Sequence, residues 1–411
     1  MTIRHRNGST LALPVAVRIA ARVALGMIAA GAAAQTPPLQ LVESFPIETS
    51  LDNPDIPQAY DVWLEMIQSA QSSLDFAAFY VSNTPDGKLE PIVRAIEAAA
   101  LRGVRVRVLA ENKFYSIYPE TLDRFATHAN IEVRRDSTHA AGGGILHAKY
   151  FVVDAREAFV GSQNFDWRAL EHIQELGLRV RVPATVAWLS AVFERDWLSA
   201  GGETAMAPLP HAPLTESLGP DAPAHVTAVF SPHGPTVSAT MWDLPRLVRL
   251  IDDAEQQVRV QLLTYRASGR DGDYFAELET ALRAAAARGV PVQMLVADWC
   301  KRSGTIQGLQ SLQCLSNVEV RLVTIPEWSG GFIPFARVVH AKYMVVDGRV
   351  AWLGTSNWEK DYFFDSRNVG LIVDGGDIPA RLDAFFMRVW NSEYTEAVDP
   401  GATYTAPRIG E

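Results

Sequence analysis

One pattern of residues occurs twice in this chain and limits the possible folds more than any other feature. A histidine, a lysine, an aspartate, a glycine and an asparagine recur with identical spacing, and the second set lies 193 positions after the first. The sets are His147, Lys149, Asp154, Gly161 and Asn164, and His340, Lys342, Asp347, Gly354 and Asn357. The flanking apolar residues repeat with them, as HAKYFVVD and HAKYMVVD. This repetition predicts two halves with the same fold.

Each half also begins with the same order of secondary structure. A β-type run is followed by an alanine-rich helical stretch, a glycine and a second β-type run. These segments are 73–80, a helix ending at 102 and 104–109 in the first half, and 258–265, 274–288 and 290–296 in the second. Strand, helix and strand in succession predict parallel strands joined by right-handed crossovers, and hence an α/β fold. We predict a first half over 35–200, a linker rich in Pro and Gly over 201–224, and a second half over 225–400.

The two motifs, 147–164 and 340–357, are predicted to converge on one site. The histidine and lysine of each motif alternate along a strand, so their side chains face the same side. The glycine permits a turn that returns the asparagine toward that side. If the halves are related by a pseudo-two-fold axis, both sets meet in one pocket at the interface, where ligand sites commonly lie.

Two histidines, two lysines and two asparagines have the chemistry to cleave a phosphodiester. One imidazole attacks phosphorus, while the other protonates the leaving oxygen and then deprotonates the resolving water. The ammonium groups and amides bind the non-bridging oxygens. The sequence shows no Cys/His metal spacing and no Gly-rich phosphate loop, so we predict an enzyme without metal or cofactor. The rival hypothesis, a non-catalytic phosphate-binding protein, would normally have lost a His or a Lys.

The motifs have the form HxKxxxxDxxxxxxGSxN, with Thr355 in place of the serine in the second copy, and the chain resembles the phospholipase D superfamily. Segments such as GSQNFDWRALEHIQELG and IPFARVVHAKYMV resemble in particular the animal lysosomal phospholipase D-like proteins, end-acting exonucleases on single-stranded nucleic acid that are also linked to phospholipid transfer. The resemblance implies two fused halves, each a mixed β-sheet flanked by helices, with one active site at their interface and a covalent phosphohistidine intermediate. It gives the repeated His, Lys and Asn catalytic roles, and Asp154, Asp347, Ser162 and Thr355 supporting ones.

One departure from the repeat predicts different roles for the two histidines. Glu175 lies 28 residues after His147, whereas Asn368 lies 28 residues after His340. A carboxylate on Nδ1 fixes the tautomer and makes Nε2 more nucleophilic. We therefore expect Glu175 to hold His147 as the nucleophile, with His340 as the acid. The alternative is that Glu175 is an ordinary charge at the start of a strand.

Further candidates flank these motifs. Tyr80 and Tyr265 end the equivalent first strands, where an α/β site opens, and are predicted either to flank the leaving group or stack on a base, or to cap the core. Arg168 and Arg337 are candidates for a further phosphate contact, with surface ion pairs as the alternative.

The first 34 residues are typical of a secretory signal peptide. They hold four arginines and no acid, then an apolar run from Val23 to Ala33 and a small-residue exit. That run is shorter than the ~20 residues of a membrane-spanning helix. We predict cleavage and an exported, periplasmic or secreted, protein without a transmembrane segment. Cys300 and Cys314 would then either form one disulfide or remain free thiols.

Net charge restricts the substrate class. The chain carries a formal charge of −10, and cleavage after residue 34 would bring it to about −14. Such an acidic body disfavours wrapping of long duplexes, whose binding depends on neutralising many phosphates. A single-stranded nucleic acid end or a phospholipid headgroup remains open as substrate, the latter for a phospholipase D or transphosphatidylase. The lack of a long basic amphipathic helix favours nucleic acid slightly.

Overall fold

The computed structural model describes residues 36–203, 207–218, 224–235, 237–269 and 272–410. The signal peptide predicted for residues 1–34 lies outside the described residues. The described chain from Pro37 onward forms one compact unit. Within the described ranges, no helix is both long enough and apolar enough to cross a membrane.

The first half runs from β1 to α5. Its elements are β1 (Leu39–Ser44), α1 (Ala59–Ser69), β2 (Ser73–Ala78), β3 (Val81–Ser82), α2 (Glu90–Leu101), β4 (Arg105–Glu111), α3 (Asn112–Tyr115), α4 (Glu120–Ala126), β5 (Ile131–Asp136), β6 (Tyr150–Val153), β7 (Glu157–Gly161), β8 (Phe165–Asp166), β9 (Ile173–Val180) and α5 (Pro183–Ala200).

The second half repeats this order with small additions. Its elements are β10 (Thr215–Ser217), β11 (His225–Ser231), α6 (Asp243–Asp252), β12 (Val258–Leu262), α7 (Glu277–Ala287), β13 (Val292–Ala297), α8 (Ile306–Gln313), β14 (Val318–Val323), β15 (Val338–Val339), β16 (Lys342–Val346), β17 (Val350–Gly354), α9 (Lys360–Phe364), β18 (Asn368–Asp374), α10 (Ile378–Trp390) and β19 (Thr395–Ala397).

Both halves build a mixed sheet with the same strand order. The first sheet runs β1-β9-β7-β6-β2-β4-β5, and the second runs β11-β18-β17-β16-β12-β13-β14, with β10 and β19 added at its edges. The pairs β2–β4 and β12–β13, which the helices α2 and α7 connect, are parallel, whereas β6–β7 and β16–β17 are antiparallel hairpins. A helical crossover returns the chain in the same direction, and a tight turn reverses it. The predicted α/β class with two pseudo-symmetric halves is confirmed.

The crossover helices end in the same way in both halves. Gly103 and Gly289 follow α2 and α7 with φ of 98° and 90°, in the left-handed region that favours glycine. Val104 then donates its N–H to the carbonyl of Ala99, and Val290 does so to Ala285. These bonds satisfy carbonyls at the helix end and direct the chain into β4 and β13.

The core is continuous between the halves. One apolar cluster joins the inner faces of both sheets to α5 and α10, with Phe193 and Phe385 among its members. Separate clusters pack α1 and α2 on the outer face of the first sheet, and α6, α7 and α8 on that of the second. Because both faces are covered, the central strands are nearly unbroken apolar runs. The two motifs are therefore held by one packed body.

The segment predicted as a linker has structure of its own. It contains β10, which pairs antiparallel with β11. The Glu216 carboxylate accepts the Ala184 N–H at 2.7 Å, and the Trp188 indole donates to the Ala212 carbonyl at 3.2 Å. A three-residue strand among prolines leaves no periodicity that a sequence reading can detect. Residues 204–206 and 219–223 of this segment lie outside the described residues.

Cys300 and Cys314 are both free thiols. Cys300 is buried and Cys314 is exposed. Of the two alternatives for this pair, the structure therefore has the free thiols rather than the disulfide.

Candidate active site

The two halves exchange backbone hydrogen bonds at the motif histidines. In the second half β15 pairs parallel with β9 of the first, and His340 donates its N–H to the Gln174 carbonyl at 2.8 Å. In the first half Leu146 forms the equivalent bridge with Arg367, whose carbonyl accepts the His147 N–H at 2.9 Å. Gln174 and Arg367 are themselves 193 positions apart. This reciprocal exchange brings both motifs to one site on the pseudo-two-fold axis.

The two motif lysines are buried in this site with one hydrogen bond each. Lys149 Nζ donates to the carbonyl of His147 at 2.6 Å, and Lys342 Nζ to that of His340 at 2.5 Å. Each lysine is only 1% exposed. Burial lowers the pKa of Lys342 to about 7, and burial together with the Lys342 ammonium lowers the pKa of Lys149. A bound anion would relieve both effects, so the pair favours a phosphate group.

Asn368 fixes the proton of His147. Its Oδ1 lies 3.0 Å from His147 Nδ1, while its Nδ2 donates to the carbonyls of Tyr362 and Ser366 at 2.8 and 3.2 Å. The Thr355 hydroxyl also donates to Oδ1, at 2.8 Å. The amide therefore presents an acceptor to the ring, Nδ1 carries the hydrogen, and Nε2 is left for a reacting group.

Glu175 holds the other imidazole. Its Oε2 lies 2.7 Å from His340 Nδ1, and its side chain is fully buried. Burial raises the pKa of Glu175 to about 7, against the lowering effect of Lys342 and Lys149. Burial and the two ammonium groups also lower the pKa of both histidines well below its ordinary value. His340 thus has the carboxyl group of Glu175 at Nδ1, whereas His147 has a neutral amide there.

The predicted pairing of Glu175 with His147 is wrong. The carboxylate contacts His340, and His147 receives Asn368 instead. The physical reason is the exchange between the halves, because Glu175 follows Gln174, the residue that accepts the His340 N–H. A spacing of 28 residues within one half predicted a local contact, but each supporting side chain comes from the opposite half.

Asn164 is oriented by Tyr80. Asn164 Nδ2 donates to the Tyr80 hydroxyl at 3.2 Å, and that hydroxyl donates to Asp166 Oδ2 at 2.8 Å. Within the described chain, Asn164 Oδ1 and its counterpart on Asn357 are buried without a hydrogen-bond partner. Because the Tyr80 hydroxyl donates its hydrogen to Asp166, it can only accept a hydrogen bond from Asn164. The amide N–H₂ of Asn164 therefore faces Tyr80.

Tyr265 and the two candidate arginines, Arg168 and Arg337, form their hydrogen bonds with groups other than the motif residues. The Tyr265 hydroxyl donates to Glu279 Oε2 at 2.7 Å, and the residue is 2% exposed, so it caps a core rather than the site. Arg168 pairs with Asp166 at 2.7 Å and donates to the Pro334 carbonyl. Arg337 donates to backbone carbonyls of Pro326 and Ile47. Both guanidinium groups form hydrogen bonds between the two halves. These hydrogen bonds involve neither motif lysine.

The remaining supporting residues hold the motif loops. Asp154 accepts the N–H groups of Ser72 and Ser73, and Asp347 accepts those of Gln256 and Gln257, all at 2.7 to 2.9 Å. Hydrogen bonds from backbone N–H groups lower the pKa of both aspartates despite partial burial. The hydroxyls of Ser162 and Thr355 accept N–H groups from β9 and β18, at 3.1 Å in each case.

Two aromatic rings also contact His147. The ring centroids of Phe79 and Tyr362 lie 4.9 and 4.8 Å from that of His147, and Lys149 Nζ lies 4.8 Å from the Phe79 ring. No motif spacing marks Phe79, whereas Tyr362 follows Asn357 closely. The role of Asn368 did carry a signal, since it lies 193 positions after Glu175. Within the described residues, no group of three or more His, Cys, Asp or Glu side chains is arranged to hold a metal ion.

Comparisons with known proteins agree with this arrangement. Residues 63–197 and 247–390 match the family described as "Cardiolipin synthase, PLD-like domain". Phospholipase D Z of Dictyostelium discoideum is 30% identical over 384 residues, which cover 87% of this chain and 90% of that protein. The 5'-3' exonuclease PLD4 of Mus musculus is 30% identical over 410 residues, covering 88% of this chain and 80% of that protein.

Among solved structures, the phosphatidylserine synthase of Haemophilus influenzae Rd KW20 shares the fold. Its TM-score is 0.58 at 14% identity, and the match covers 82% of this chain and 85% of that one. The duplicated sheet, the matched family and the two relatives lead to one conclusion: the chain belongs to the phospholipase D superfamily of phosphodiester hydrolases.

Proposed function

We propose that this protein cleaves phosphodiester bonds at the ends of single-stranded nucleic acid, without a metal ion and through a covalent phosphohistidine intermediate. One observation carries the proposal. Each motif imidazole is held at Nδ1 by an acceptor from the opposite half, at 2.7 Å for His340 and 3.0 Å for His147. Both Nε2 atoms are thereby left for substrate, beside two buried ammonium groups.

In the first step the Nε2 lone pair of His340 attacks phosphorus. The bond from phosphorus to the leaving oxygen breaks, and that oxygen takes a proton from protonated Nε2 of His147. The imidazole of His340 gains positive charge as the P–N bond forms, and the Glu175 carboxylate stabilises this charge. Lys149 and Lys342 bind the non-bridging oxygens while negative charge develops there.

In the second step water replaces the histidine. Neutral Nε2 of His147 takes a proton from water, and the resulting hydroxide oxygen attacks phosphorus. The P–N bond breaks and its electron pair returns to His340. The phosphate product then leaves, with His147 protonated for the next cycle.

The supporting groups decide which imidazole is the nucleophile. A carboxylate partner increases the basicity and nucleophilicity of Nε2, as an orienting acid does in hydrolase triads. An amide partner orients the ring without stabilising its positive form, which makes the protonated ring the stronger acid. We therefore propose His340 as nucleophile and His147 as acid and base, the reverse of the roles expected from the sequence.

The substrate proposal rests on charge and on one relative. The chain carries a formal charge of −10, which suits an enzyme that grips a few phosphates at an end rather than a long duplex. The mouse relative is named a 5'-3' exonuclease. The alternative is phospholipase D activity, because the Dictyostelium relative is named a phospholipase D and the lysines and histidines require only a phosphodiester.

A parallel assay tests the proposal. Purified protein is given end-labelled single-stranded oligonucleotides, phosphatidylcholine or phosphatidylglycerol vesicles, and bis-p-nitrophenyl phosphate, all with EDTA present. We expect shortening of oligonucleotides from one end and release of p-nitrophenol, both insensitive to EDTA. Turnover that EDTA abolishes and zinc or magnesium restores contradicts the metal-free mechanism. Release of headgroup with intact oligonucleotides assigns the enzyme to phospholipids instead.

A further inference from the structure

A continuous group of aromatic rings begins at His147 and leads away from the phosphate site. It comprises Phe79, Tyr80, Phe114 and Tyr118, here called the aromatic wall. Phe79 lies 4.9 Å from the His147 ring and 4.2 Å from Phe114, measured between centroids. Tyr80 stacks on Phe114 at 5.6 Å and on Tyr118 at 5.0 Å, with planes inclined by 18° and 28°. All four residues of the wall remain partly exposed.

We infer that this wall binds a nucleobase of the substrate beside the scissile phosphate. The inference rests on the proposed nucleic-acid function and adds a base-binding subsite to it. Lys149 Nζ lies 4.8 Å from the Phe79 ring, so the ammonium that binds phosphate and the first ring of the wall are neighbours. A nucleotide presents the same two groups, a phosphate and a flat base joined through one sugar. Stacking of bases on aromatic side chains is a common way to bind single strands.

Among its described residues, the second half offers no equivalent wall. The register of the strands places Thr264 at the position of Tyr80, and Tyr265, at the position of Val81, is buried and donates to Glu279. Where α3 supplies Phe114 after β4, the second half has the short 3-10 helix Asp298–Lys301 after β13, with Cys300 buried in the core. The wall therefore lies on the His147 side alone. Since His147 protonates the leaving oxygen, the base bound there belongs to the leaving nucleoside.

The wall suits a flat ring better than an acyl chain. Charged groups accompany the rings, since the Arg168 guanidinium carbon lies 5.7 Å from the Tyr118 ring and Lys113, next to Phe114, is exposed on α3. These cations are compatible with a base and its phosphates, whereas an acyl chain would have to desolvate them.

A double-mutant cycle between protein and substrate tests the inference. Thymidylyl-(3′→5′)-thymidine and its two analogues, each lacking one base, are given to wild type, Phe114→Leu and Phe114→Tyr. In wild type, loss of one particular base is expected to lower kcat/KM on the order of tenfold, as for other base–aromatic stacks. The loss caused by Phe114→Leu is expected to be several-fold smaller for the analogue that lacks this base. Phe114→Tyr keeps a ring and should behave as wild type.

Tyr274→Ala is the matched control, because Tyr274 is an aromatic residue of the second half that is 59% exposed and lies outside the wall. It should leave kcat/KM for all three substrates unchanged. Additive losses from Phe114→Leu and from base removal overturn the base subsite while leaving the nuclease proposal intact. Failure of wild type to cleave the intact dinucleotide, with bis-p-nitrophenyl phosphate still cleaved, overturns both. Loss of vesicle hydrolysis in Phe114→Leu, without loss on the dinucleotide, assigns the wall to lipid.

Discussion

The two halves share a strand order but support their histidines with different chemistry. At equivalent positions, the first half contributes Glu175 and the second contributes Asn368, and each side chain reaches the histidine of the other half. Lysines, motif turns and aspartate-held loops are nearly the same on both sides. A symmetric scaffold thus brings both lysines into one site, and a single exchange of carboxylate for amide distinguishes two otherwise equivalent imidazoles.

The halves also differ in the side chains that lie near the motif asparagines. In the first half Tyr80 binds both Asn164 and Asp166. In the second half, Glu359 at the position of Asp166 accepts the Thr264 hydroxyl at 2.5 Å, and Tyr265 turns away to Glu279. The tyrosine of one half orients a site residue, and that of the other stabilises the core. The strand register places Thr264 at the position of Tyr80 and Tyr265 at that of Val81, so a shift of one position moves the tyrosine hydroxyl from the site to the core.

The largest effect expected is the loss of either histidine. Because the halves form one site, His147→Ala and His340→Ala should each lower kcat by on the order of 10³-fold or more, and the double variant should be little slower than either. Steady-state turnover of bis-p-nitrophenyl phosphate measures this. If each single variant kept about half of the activity, the halves would be two independent sites.

Trapping of the intermediate should separate the roles of the two histidines. In His147→Ala the base for water is missing, but p-nitrophenol leaves without protonation, so an adduct should accumulate on His340 and be found by mass spectrometry after alkaline quenching. Glu175→Gln should slow its formation by roughly 10- to 100-fold, by analogy with other orienting partners. Asn368→Asp is the matched change on the other side and should not slow it. A label on His147 in His340→Ala, with none on His340 in the reciprocal variant, reverses the assignment.

The carboxylate should also appear in the pH dependence of kcat/KM. Burial raises the pKa of Glu175 to about 7, and the ionised form is the one that supports His340, so activity should rise as pH increases through about 7. Burial lowers the pKa of Lys342 to about 7, and its protonated form binds phosphate, so activity should fall as pH increases through the same region. The profile should be a narrow bell. Glu175→Gln should abolish the acidic limb and keep the basic one, and an unchanged acidic limb would exclude Glu175 as its source.

The smallest effects should distinguish the two tyrosines. Tyr80→Phe removes the hydroxyl that orients Asn164 and should lower kcat/KM roughly fivefold, as expected for about 1 kcal/mol of hydrogen bonding. Tyr265→Phe should leave kcat/KM unchanged within about twofold and lower the free energy of unfolding by about 1 kcal/mol, because buried Glu279 loses a donor. Kinetics and urea unfolding of both variants check this. An equal kinetic loss in both would contradict the different placement of the hydroxyls.

Much of the fold was predictable because its signals are local. Helices α2 and α7 lie within their predicted stretches, with Gly103 and Gly289 at their ends, since apolar periodicity and a helix-ending glycine depend only on neighbours in sequence. The strand β10 was hidden because three residues among prolines have no period. Of the aromatic wall only Tyr80 was a candidate, since Phe79, after β2, and Phe114, in α3, meet only once β2 and β4 pair.

By itself, the sequence determined that there are two like halves, which residue types they share, and that those residues suit phosphate. A displacement of 193 positions that preserves the His, Lys, Asp, Gly and Asn of the motif carries this information without any coordinates. Only the tertiary structure decided which partner each histidine receives. Glu175 and His340 are 165 residues apart, and His147 and Asn368 are 221 apart. Their contacts exist because the halves exchange backbone hydrogen bonds across a shared core, and no spacing within one half specifies that exchange.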